Sequence, residues 1–275
     1  MNLPDWFRRL TYQPFLVKIV QFLHIRSLMR RFYYLLARPD EKIKQVSFNG
    51  IEAKFYVNTP LELRLVETPF TDGLGDEKKM LGELFMALKP DDVVYDIGAS
   101  IGIHSILMAK KVGKSGKIFA FEPESQSFES LQFNIKLNDL SNVITIQIAL
   151  GNEIAESAIY SSGTTADFSL ISGFEKKGGQ KIRVVPGDIL VRDKNLPLPN
   201  IVKIDVEGYE FYVIQGLQMT LSSETCQMVC CEIHPTMLPS GITADNVIDL
   251  LRSYGFNRIE SQQRGETFHV FCYKS

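Results

Sequence analysis

Short apolar runs alternate with longer amphipathic segments through the last two thirds of the chain. The strand pattern fits seven segments: VVYDIG, KIFAFEP, VITIQIAL, NIVKIDVEG, QMVCCEIHP, NRIES and TFHVFCYK. Helical periodicity lies between them in GIHSILMAKKVG, SFESLQFNIKLN and TADNVIDLLRSYG, and Thr243 and Gly255 predict the two ends of the last helix. Strands that are apolar throughout are buried on both faces, so the alternation predicts an α/β fold, a mostly parallel sheet with helices on both faces. The last two strands are close enough to form a hairpin, which predicts one antiparallel strand near an edge.

The chain before this domain has a different pattern. In KQVSFNGIEAKFYVN, two alternating runs flank Asn49-Gly50, which predicts a β-hairpin with a type I′ turn. A helix is predicted from Asp76 to just before Pro90, with Met80, Leu81, Leu84 and Phe85 on its apolar side. The segment 152–185 is irregular and predicts short strands and turns. We therefore expect a basic helical extension over 1–42, a hairpin and linker over 43–75, and the α/β domain over 76–275.

The charge distribution separates the first 38 residues from the rest. The chain has a formal net charge of −2, which gives no indication of nucleic-acid binding. Residues 1–38 contain seven Lys and Arg against one Asp, a net charge of +6, so the remaining chain carries −8. Aromatic residues lie among these basic residues. Two interpretations stay open: a solvated helical face that packs on the domain, or an interfacial helix on an anionic membrane.

The cysteines and the apolar segments predict where in the cell the protein is located. Four cysteines occur without a C-x-x-C pair, which predicts reduced core residues and no zinc knuckle. The best membrane-span candidate, PFLVKIVQFL, is short and interrupted by Lys18, and it lacks a cleavage site typical of signal peptides. We expect a cytoplasmic protein, with peripheral contact at the inner membrane face as an alternative.

The segment VVYDIGASIGIHS indicates a ligand site. A buried strand ends at Asp96, and Gly98 and Gly102 precede the next helix. In open α/β sheets, ligands bind beyond the carboxyl ends of the strands, and glycines in the first turn let the backbone approach the ligand. The next strand ends at Glu122, twenty residues after Gly102, where an acid accepts hydrogen bonds from ribose hydroxyls. The pattern predicts a nucleoside-type cofactor, and a tight packing turn is the alternative explanation of the glycines.

Motif spacing narrows the choice of cofactor. The dinucleotide fingerprint G-x-G-x-x-G is absent because Ser100 and Ile103 occupy the later glycine positions, and the phosphate-binding loop G-x-x-x-x-G-K-S/T is also absent. Asp96 is poorly placed beside a phosphate and suits a cationic ligand, such as the amino group of a methionine moiety. These features favour S-adenosylmethionine.

Four blocks, VVYDIGASIGIHS, FAFEPESQSFESLQFNIKLN, NIVKIDVEGYEFYVIQGL and CCEIHP, occur in this order. Over residues 76–275 the chain resembles the FkbM-like methyltransferases, with the D-x-E-G-x-E block as the most specific element. The resemblance implies a class I methyltransferase fold, S-adenosylmethionine as donor, and a hydroxyl acceptor on a sugar, glycolipid or polyketide-like molecule. The positions that it assigns to the cofactor motif are Asp96, Gly98, Ala99, Ser100, Gly102 and Glu122. Ser100 stands where the family more often has Asn, and His104 where it more often has an aromatic residue.

Polar residues at the ends of two further strands are the candidates for chemistry. Asp205 and Glu207 alternate at the end of the fourth strand, and Glu232 and His234 do so on the fifth. If these strands are neighbours, three acids and an imidazole converge on one edge of the sheet, as a base or as a divalent metal site. In the alternative interpretation, Glu207 and Glu210 stabilise the start of the following helix, and His234 is a structural histidine.

We therefore expect an S-adenosylmethionine-dependent O-methyltransferase that acts on a hydroxyl of a saccharide, glycolipid or related small molecule. Its partner would be this acceptor, with no nucleic acid. Two alternatives remain: a nucleotide-cofactor oxidoreductase, disfavoured by the missing fingerprint, and a catalytically silent membrane-surface scaffold with the same fold. Metal dependence and the oligomeric state are left open by the sequence.

Overall fold

The computed structural model describes residues 42–67, 75–159, 179–264 and 267–274. The N-terminal elements are β1 (Ile43–Phe48), β2 (Ile51–Tyr56), α1 (Pro60–Glu67) and α2 (Gly75–Ala87). The first half of the α/β domain contains β3 (Val93–Ile97), α3 (Ile103–Val112), β4 (Lys117–Phe121), α4 (Ser125–Leu137), β5 (Val143–Ile146), β6 (Ala149–Gly151) and β7 (Ala155–Ile159). The second half contains β8 (Gln180–Pro186), α5 (Gly187–Asp193), β9 (Ile201–Ile204), α6 (Glu210–Gly216), α7 (Gln218–Ser222), β10 (Met228–Ile233), α8 (Ala244–Ser253), β11 (Arg258–Arg264) and β12 (Thr267–Tyr273).

A seven-stranded sheet in the order β11-β12-β10-β9-β3-β4-β5 forms the centre of the molecule. β3 pairs in parallel with β4 on one side and with β9 on the other, so the strand order reverses between β3 and β9. β12 lies second from the edge and is antiparallel to both β10 and β11. The predicted α/β fold, with its terminal hairpin, is confirmed. The reversal places a crevice at the carboxyl ends of β3 and β9.

The predicted third strand is wrong in its extent. VITIQIAL forms two strands, because the backbone turns after Ile146, where Ile148 N donates to Ile146 O at 3.0 Å. Residues after this turn leave the central sheet. β6 pairs instead with β8 in a small three-stranded sheet of order β6-β8-β7.

Two apolar layers cover the two faces of the sheet. One layer contains Val94 and Ile201 from the sheet together with buried residues of α2, α3, α4 and the N-terminal hairpin. The predicted apolar positions of α2 are all buried there: Met80, Leu81, Leu84 and Phe85. The other layer contains Tyr95 and Val202 with buried residues of α5, α6 and α8. The four cysteines are buried and free, as predicted.

The N-terminal hairpin is confirmed and shares the core of the domain. Asn49 and Gly50 have φ angles of 47° and 78°, as a type I′ turn requires. Phe48 and Phe55 belong to the same apolar layer as α3 and α4. The hairpin is therefore packed on the α/β domain through a continuous apolar contact.

Two asparagines of α4 attach the hairpin through hydrogen bonds. Tyr56 N donates to Asn134 Oδ1 at 2.7 Å, and Lys54 N donates to Asn138 Oδ1 at 3.0 Å. Asn134 Nδ2 also donates to Ile101 O at 2.9 Å, in the turn that follows β3. Asn138 is the C-cap of α4. β2 pairs with β1 along one edge, and these side-chain amides provide hydrogen-bond partners to its backbone in place of a second neighbouring strand.

The predicted basic extension lies almost entirely outside the described residues, which begin at Lys42. Within the described ranges, no helix combines the length and the apolar character that crossing a bilayer requires.

Candidate functional site

A cleft opens at the carboxyl ends of β3, β4 and β9, where the strand order reverses. Its polar lining comes from Ser100, Glu122, Asp205 and Glu207, and Gly98 contributes backbone. Its apolar walls include Phe121, Pro123, Ile148 and Leu150, and α1 adds Leu65. The cleft therefore joins the predicted cofactor motif to part of the predicted chemical cluster.

The two turn glycines are explained by close approaches within the protein. Gly98 has a φ of 81°, and a Cβ at this position would lie 1.8 Å from the Asp205 carbonyl oxygen. Gly102 has a φ of 91°, and its Cβ would lie 2.5 Å from Leu131 Cδ1 in α4. A side chain at Gly102 would therefore enter the packing against α4. The packing explanation accounts for both glycines, and Gly98 additionally lines the cleft.

Backbone hydrogen bonds fix the first part of this turn. Gly98 N and Ala99 N both donate to Phe121 O at 3.0 Å. Ala99 is buried, and its role in cofactor binding stays a prediction. The turn is thus attached to the end of β4, directly before Glu122.

Glu122 is a buried carboxylate in the wall of the cleft. Ser100 N donates to its Oε2 at 2.7 Å, and Glu124 N donates to its Oε1 at 2.8 Å. Burial raises the pKa of Glu122 to about 7, while these two hydrogen bonds act in the opposite direction. Each carboxylate oxygen can accept more than one hydrogen bond, so the group retains capacity for ribose hydroxyls.

Asp96 has other contacts than the sequence predicted. Its carboxylate is fully buried; Ser105 Oγ donates to its Oδ2 at 2.6 Å, and Lys203 Nζ lies 3.3 Å from its Oδ1. Asp96 and Lys203 are direct partners in the parallel pairing of β3 with β9. Lys203 therefore supplies a cation beside Asp96 from within the protein, and the role of Asp96 in cofactor binding stays a prediction.

Lys203 is a site residue that sequence reasoning missed. Its Nζ also lies 3.6 Å from Asp205 Oδ2, so it connects the base of the turn to the chemical cluster. Burial alone would lower the pKa of Lys203, but the carboxylates of Asp96 and Asp205 outweigh burial and hold this pKa above its ordinary value. The available signal was a charged residue inside the apolar run NIVKID.

His234 is the centre of the chemical cluster. Its Nε2 lies 3.3 Å from Glu207 Oε2 and 3.7 Å from Glu232 Oε1. One ligand-type atom from each of Asp205, Glu207 and His234 lies within 4.8 Å of the others. The structure therefore brings together all four residues that the sequence assigned to chemistry.

Glu210 orients this histidine. Its fully buried Oε1 lies 2.7 Å from His234 Nδ1 and accepts a hydrogen bond from Gly208 N at 2.8 Å. Sequence reasoning placed Glu210 only at the start of the following helix. Its contact with His234 could not be predicted, because α6 and the end of β10 are distant in the chain. Burial alone would lower the pKa of His234, but Glu210, Asp205 and Glu207 raise it to about 10. The imidazole is therefore a cation at neutral pH in this arrangement.

Glu232 is held from the side of β12. His269 Nε2 lies 3.0 Å from its Oε2, and Thr267 Oγ1 donates to its Oε1 at 3.1 Å. Glu232 and His269 are direct partners in the antiparallel pairing of β10 with β12. His269 is a second residue that only the tertiary pairing identifies as part of the site.

The sheet order, with one antiparallel strand second from the edge, and the cleft at the strand reversal define a class I methyltransferase. The model of the methyltransferase FkbM domain matches residues 96–258, more than half of the chain. The chain belongs to this family, and it is an S-adenosylmethionine-dependent methyltransferase rather than an oxidoreductase.

Relatives of the chain include proteins that are named as methyltransferases. Hexuronic acid methyltransferase AglP of Haloferax volcanii is 29% identical over 195 residues, which is 71% of this chain and 76% of that protein. Methyltransferase sdnD of Sordaria araneosa is 27% identical over 203 residues, covering 62% of this chain and 75% of that protein. The structure of methyltransferase FkbM from Methylobacillus flagellatus aligns with a TM-score of 0.47 at 15% identity, over 76% of this chain and 57% of that chain.

Proposed function

We propose that the protein transfers the methyl group of S-adenosylmethionine to a hydroxyl of a saccharide, glycolipid or related small molecule. The observation that carries the proposal is the composition of one cleft. Glu122 lines it at one position, and Asp205 and Glu207 line it at another, with the His234 imidazole beside Glu207. This composition supports a nucleoside-binding position and a proton-transfer position in the same cleft, at the reversal of strand order.

The residues of the cleft fit this cofactor. The Glu122 carboxylate would accept hydrogen bonds from the ribose hydroxyls, and apolar residues such as Phe121 and Ile148 would contact the adenine. Ser100, the Ala99 backbone and Gly98 shape the turn beside it. When bound, the cofactor supplies a methyl group on a sulfonium that is already strongly electrophilic.

The remaining work of the protein is to orient the acceptor and remove its proton. The acceptor oxygen forms a bond to the methyl carbon while the carbon–sulfur bond breaks, and the sulfur keeps that electron pair. The hydroxyl proton passes to a carboxylate, for which Asp205 and Glu207 line the cleft. His234 is already cationic in this arrangement, so we assign it the role of holding Glu207 by charge.

A uronic-acid-containing glycan is the acceptor class that we favour. The similarity to a hexuronic acid methyltransferase supports a saccharide of this kind. The carboxylates of Asp205 and Glu207 in the cleft can accept the proton of a hydroxyl, whereas the ionised carboxyl group of the same sugar has no proton to give up. The predicted product is therefore a methyl ether.

The test is methyl transfer from labelled cofactor to a panel of neutral and hexuronic-acid-containing glycans and glycolipids. Mild alkali then separates the products, because it hydrolyses methyl esters and leaves methyl ethers intact. We expect alkali-stable label on a saccharide. Label that is released entirely by alkali would show carboxyl methylation, and no transfer to any saccharide would contradict the acceptor class.

Two variants examine the roles of the cluster in the same assay. Asp205→Asn keeps the shape of the side chain and removes its charge, and His234→Ala removes the imidazole. We expect turnover to fall by ~10²–10⁴ in each, while affinity for S-adenosylhomocysteine stays the same. Wild-type turnover in both variants would show that the cluster is structural.

A further inference from the structure

We propose that Asp205, Glu207 and His234 bind a divalent cation of the Mn²⁺ type. Two carboxylate oxygens and one imidazole nitrogen converge there within 4.8 Å of one another. In the cation-free site His234 is protonated, so the divalent cation would replace the proton on Nε2, and its binding would release that proton. This mixture of oxygen ligands with one nitrogen suits a first-row divalent cation better than Ca²⁺, which prefers oxygen alone. The cation site is a property of this chain's own side chains, and its catalytic use rests on the proposed function.

The orientation of His234 is the second, independent observation. The side chain is 7% exposed, and its Nδ1 lies 2.7 Å from Oε1 of the fully buried Glu210. This contact fixes the ring, so that Nε2 is the nitrogen presented to Glu207 and Glu232. Histidines that bind metals are oriented by a carboxylate or carbonyl on the other ring nitrogen in the same way. A cluster of solvated acidic residues that binds no cation would not require a buried carboxylate to orient a buried imidazole.

Neighbouring groups set the limits of this site. Lys203 Nζ lies 3.6 Å from Asp205 Oδ2 and is shared with Asp96, so it competes with a cation for one oxygen of Asp205. Glu232 Oε1 lies 3.7 Å from His234 Nε2, close enough to act as a further ligand or to accept a proton. His269 and Thr267 hold Glu232 in that position.

A cation at this position would act on the acceptor. Asp205 and Glu207 line the cleft, so the cation would be accessible to a saccharide hydroxyl bound there. A metal-bound hydroxyl is a stronger acid than a free one, and adjacent hydroxyls can bind the same cation. With Asp205 and Glu207 occupied as ligands, Glu232, whose Oε1 lies 3.7 Å from His234 Nε2, would take over their role as proton acceptor. The oxygen would attack the methyl carbon, and the thioether product would leave with the electron pair of the broken bond.

Mn²⁺ binding is measured directly by electron paramagnetic resonance, because the signal of free Mn²⁺ disappears when the ion binds. The full chain is first treated with chelator and then titrated without cofactor or acceptor. We expect a single Mn²⁺ per chain in the wild type and an affinity at least tenfold weaker in Asp205→Asn and Glu207→Gln. Asp249→Asn is the matched control, since Asp249 is 66% exposed on α8.

Glu210→Gln separates a metal site from a purely structural cluster. It keeps the shape of the side chain but weakens the orientation of His234, so Mn²⁺ affinity should fall roughly 10–100-fold. Binding of S-adenosylhomocysteine by each variant verifies that the cleft is folded. Failure of the folded wild type to bind Mn²⁺, or equal affinity in all variants, overturns the proposal. Methyl transfer that persists in chelator would show that the reaction does not need the cation, and the proposed function would stand. Mn²⁺ binding without methyl transfer to any saccharide would support the cation site and contradict the proposed function.

Discussion

Glu122 is an acid whose ionisation depends on the folded environment. Burial raises its pKa from 4.5 to about 7, so the folded chain binds a proton that the unfolded chain does not in this interval. The free energy of unfolding should therefore fall as the pH rises from about 4.5 to about 7, with a contribution of about 3 kcal/mol from this group. Glu122→Gln should remove this part of the pH dependence. Urea unfolding of both proteins across that pH interval measures it.

Glu129→Gln is the control, because Glu129 is exposed on α4, the helix that follows Glu122 in the chain. Its pH dependence should match that of the wild type. These variants and Glu122→Ala are titrated with S-adenosylhomocysteine, and loss of the ribose contact in Glu122→Ala should weaken binding roughly tenfold or more. A pH dependence that is unchanged in Glu122→Gln contradicts the raised pKa, and unchanged affinity in Glu122→Ala contradicts the ribose assignment.

Single residues also show where sequence reasoning stops. Asp205, Glu207, Glu232 and His234 were predictable as a cluster, because strand ends of neighbouring parallel strands meet at one edge. Lys203 was hidden by its position inside an apolar strand. Its partner Asp96 lies more than a hundred residues earlier in the chain, and only the pairing of β3 with β9 joins the two.

At the level of elements, hydrophobic periodicity was sufficient for the central sheet and its helices. It failed for VITIQIAL, since an apolar run does not indicate where a backbone turn moves the chain from one sheet to another. The attachment of β2 to α4 was equally hidden. Side-chain amides that replace a strand partner depend on tertiary contact, which local pattern does not encode.

The hairpin attachment gives a prediction at this scale. Asn134→Ala removes the acceptor for Tyr56 N and the donor to Ile101 O, both of which depend on this one amide. Unsatisfied buried polar groups cost about 1–3 kcal/mol, so stability should fall by this amount. Hydrogen exchange at the Tyr56 amide should become faster, and urea unfolding gives the change in stability.

Asn138→Ala is the matched control for this change. Asn138 makes similar bonds to Lys54, but in a more exposed setting where water can replace the lost amide. Its effect on stability should be clearly smaller. Equal exchange rates at Tyr56 in the wild type and in Asn134→Ala would show that the amide does not hold the hairpin.

At the scale of the whole molecule, the uneven charge gives a further prediction. Residues 1–38 carry a net charge of +6 while the rest of the chain carries −8, and aromatic residues accompany the basic ones. A segment of this composition is typical of an interfacial membrane anchor, which would suit a lipid-linked glycan as acceptor. The full chain should sediment with vesicles that contain anionic lipid and not with neutral vesicles. Added salt should weaken the binding, because the attraction is a screened surface field.

The contribution of individual basic residues sets the expected size of the effect. Each Lys or Arg at an anionic surface contributes about 1 kcal/mol, so replacing Arg30 and Arg31 with Gln should weaken vesicle binding roughly thirtyfold. A chain that begins at Lys42 should lose vesicle binding altogether and keep its affinity for S-adenosylhomocysteine. Replacing Arg252 and Arg258, which are exposed on the α/β domain, controls for loss of positive charge elsewhere. If the full and shortened chains sediment equally, the basic segment does not anchor the enzyme, and its aromatic residues are left with a packing role.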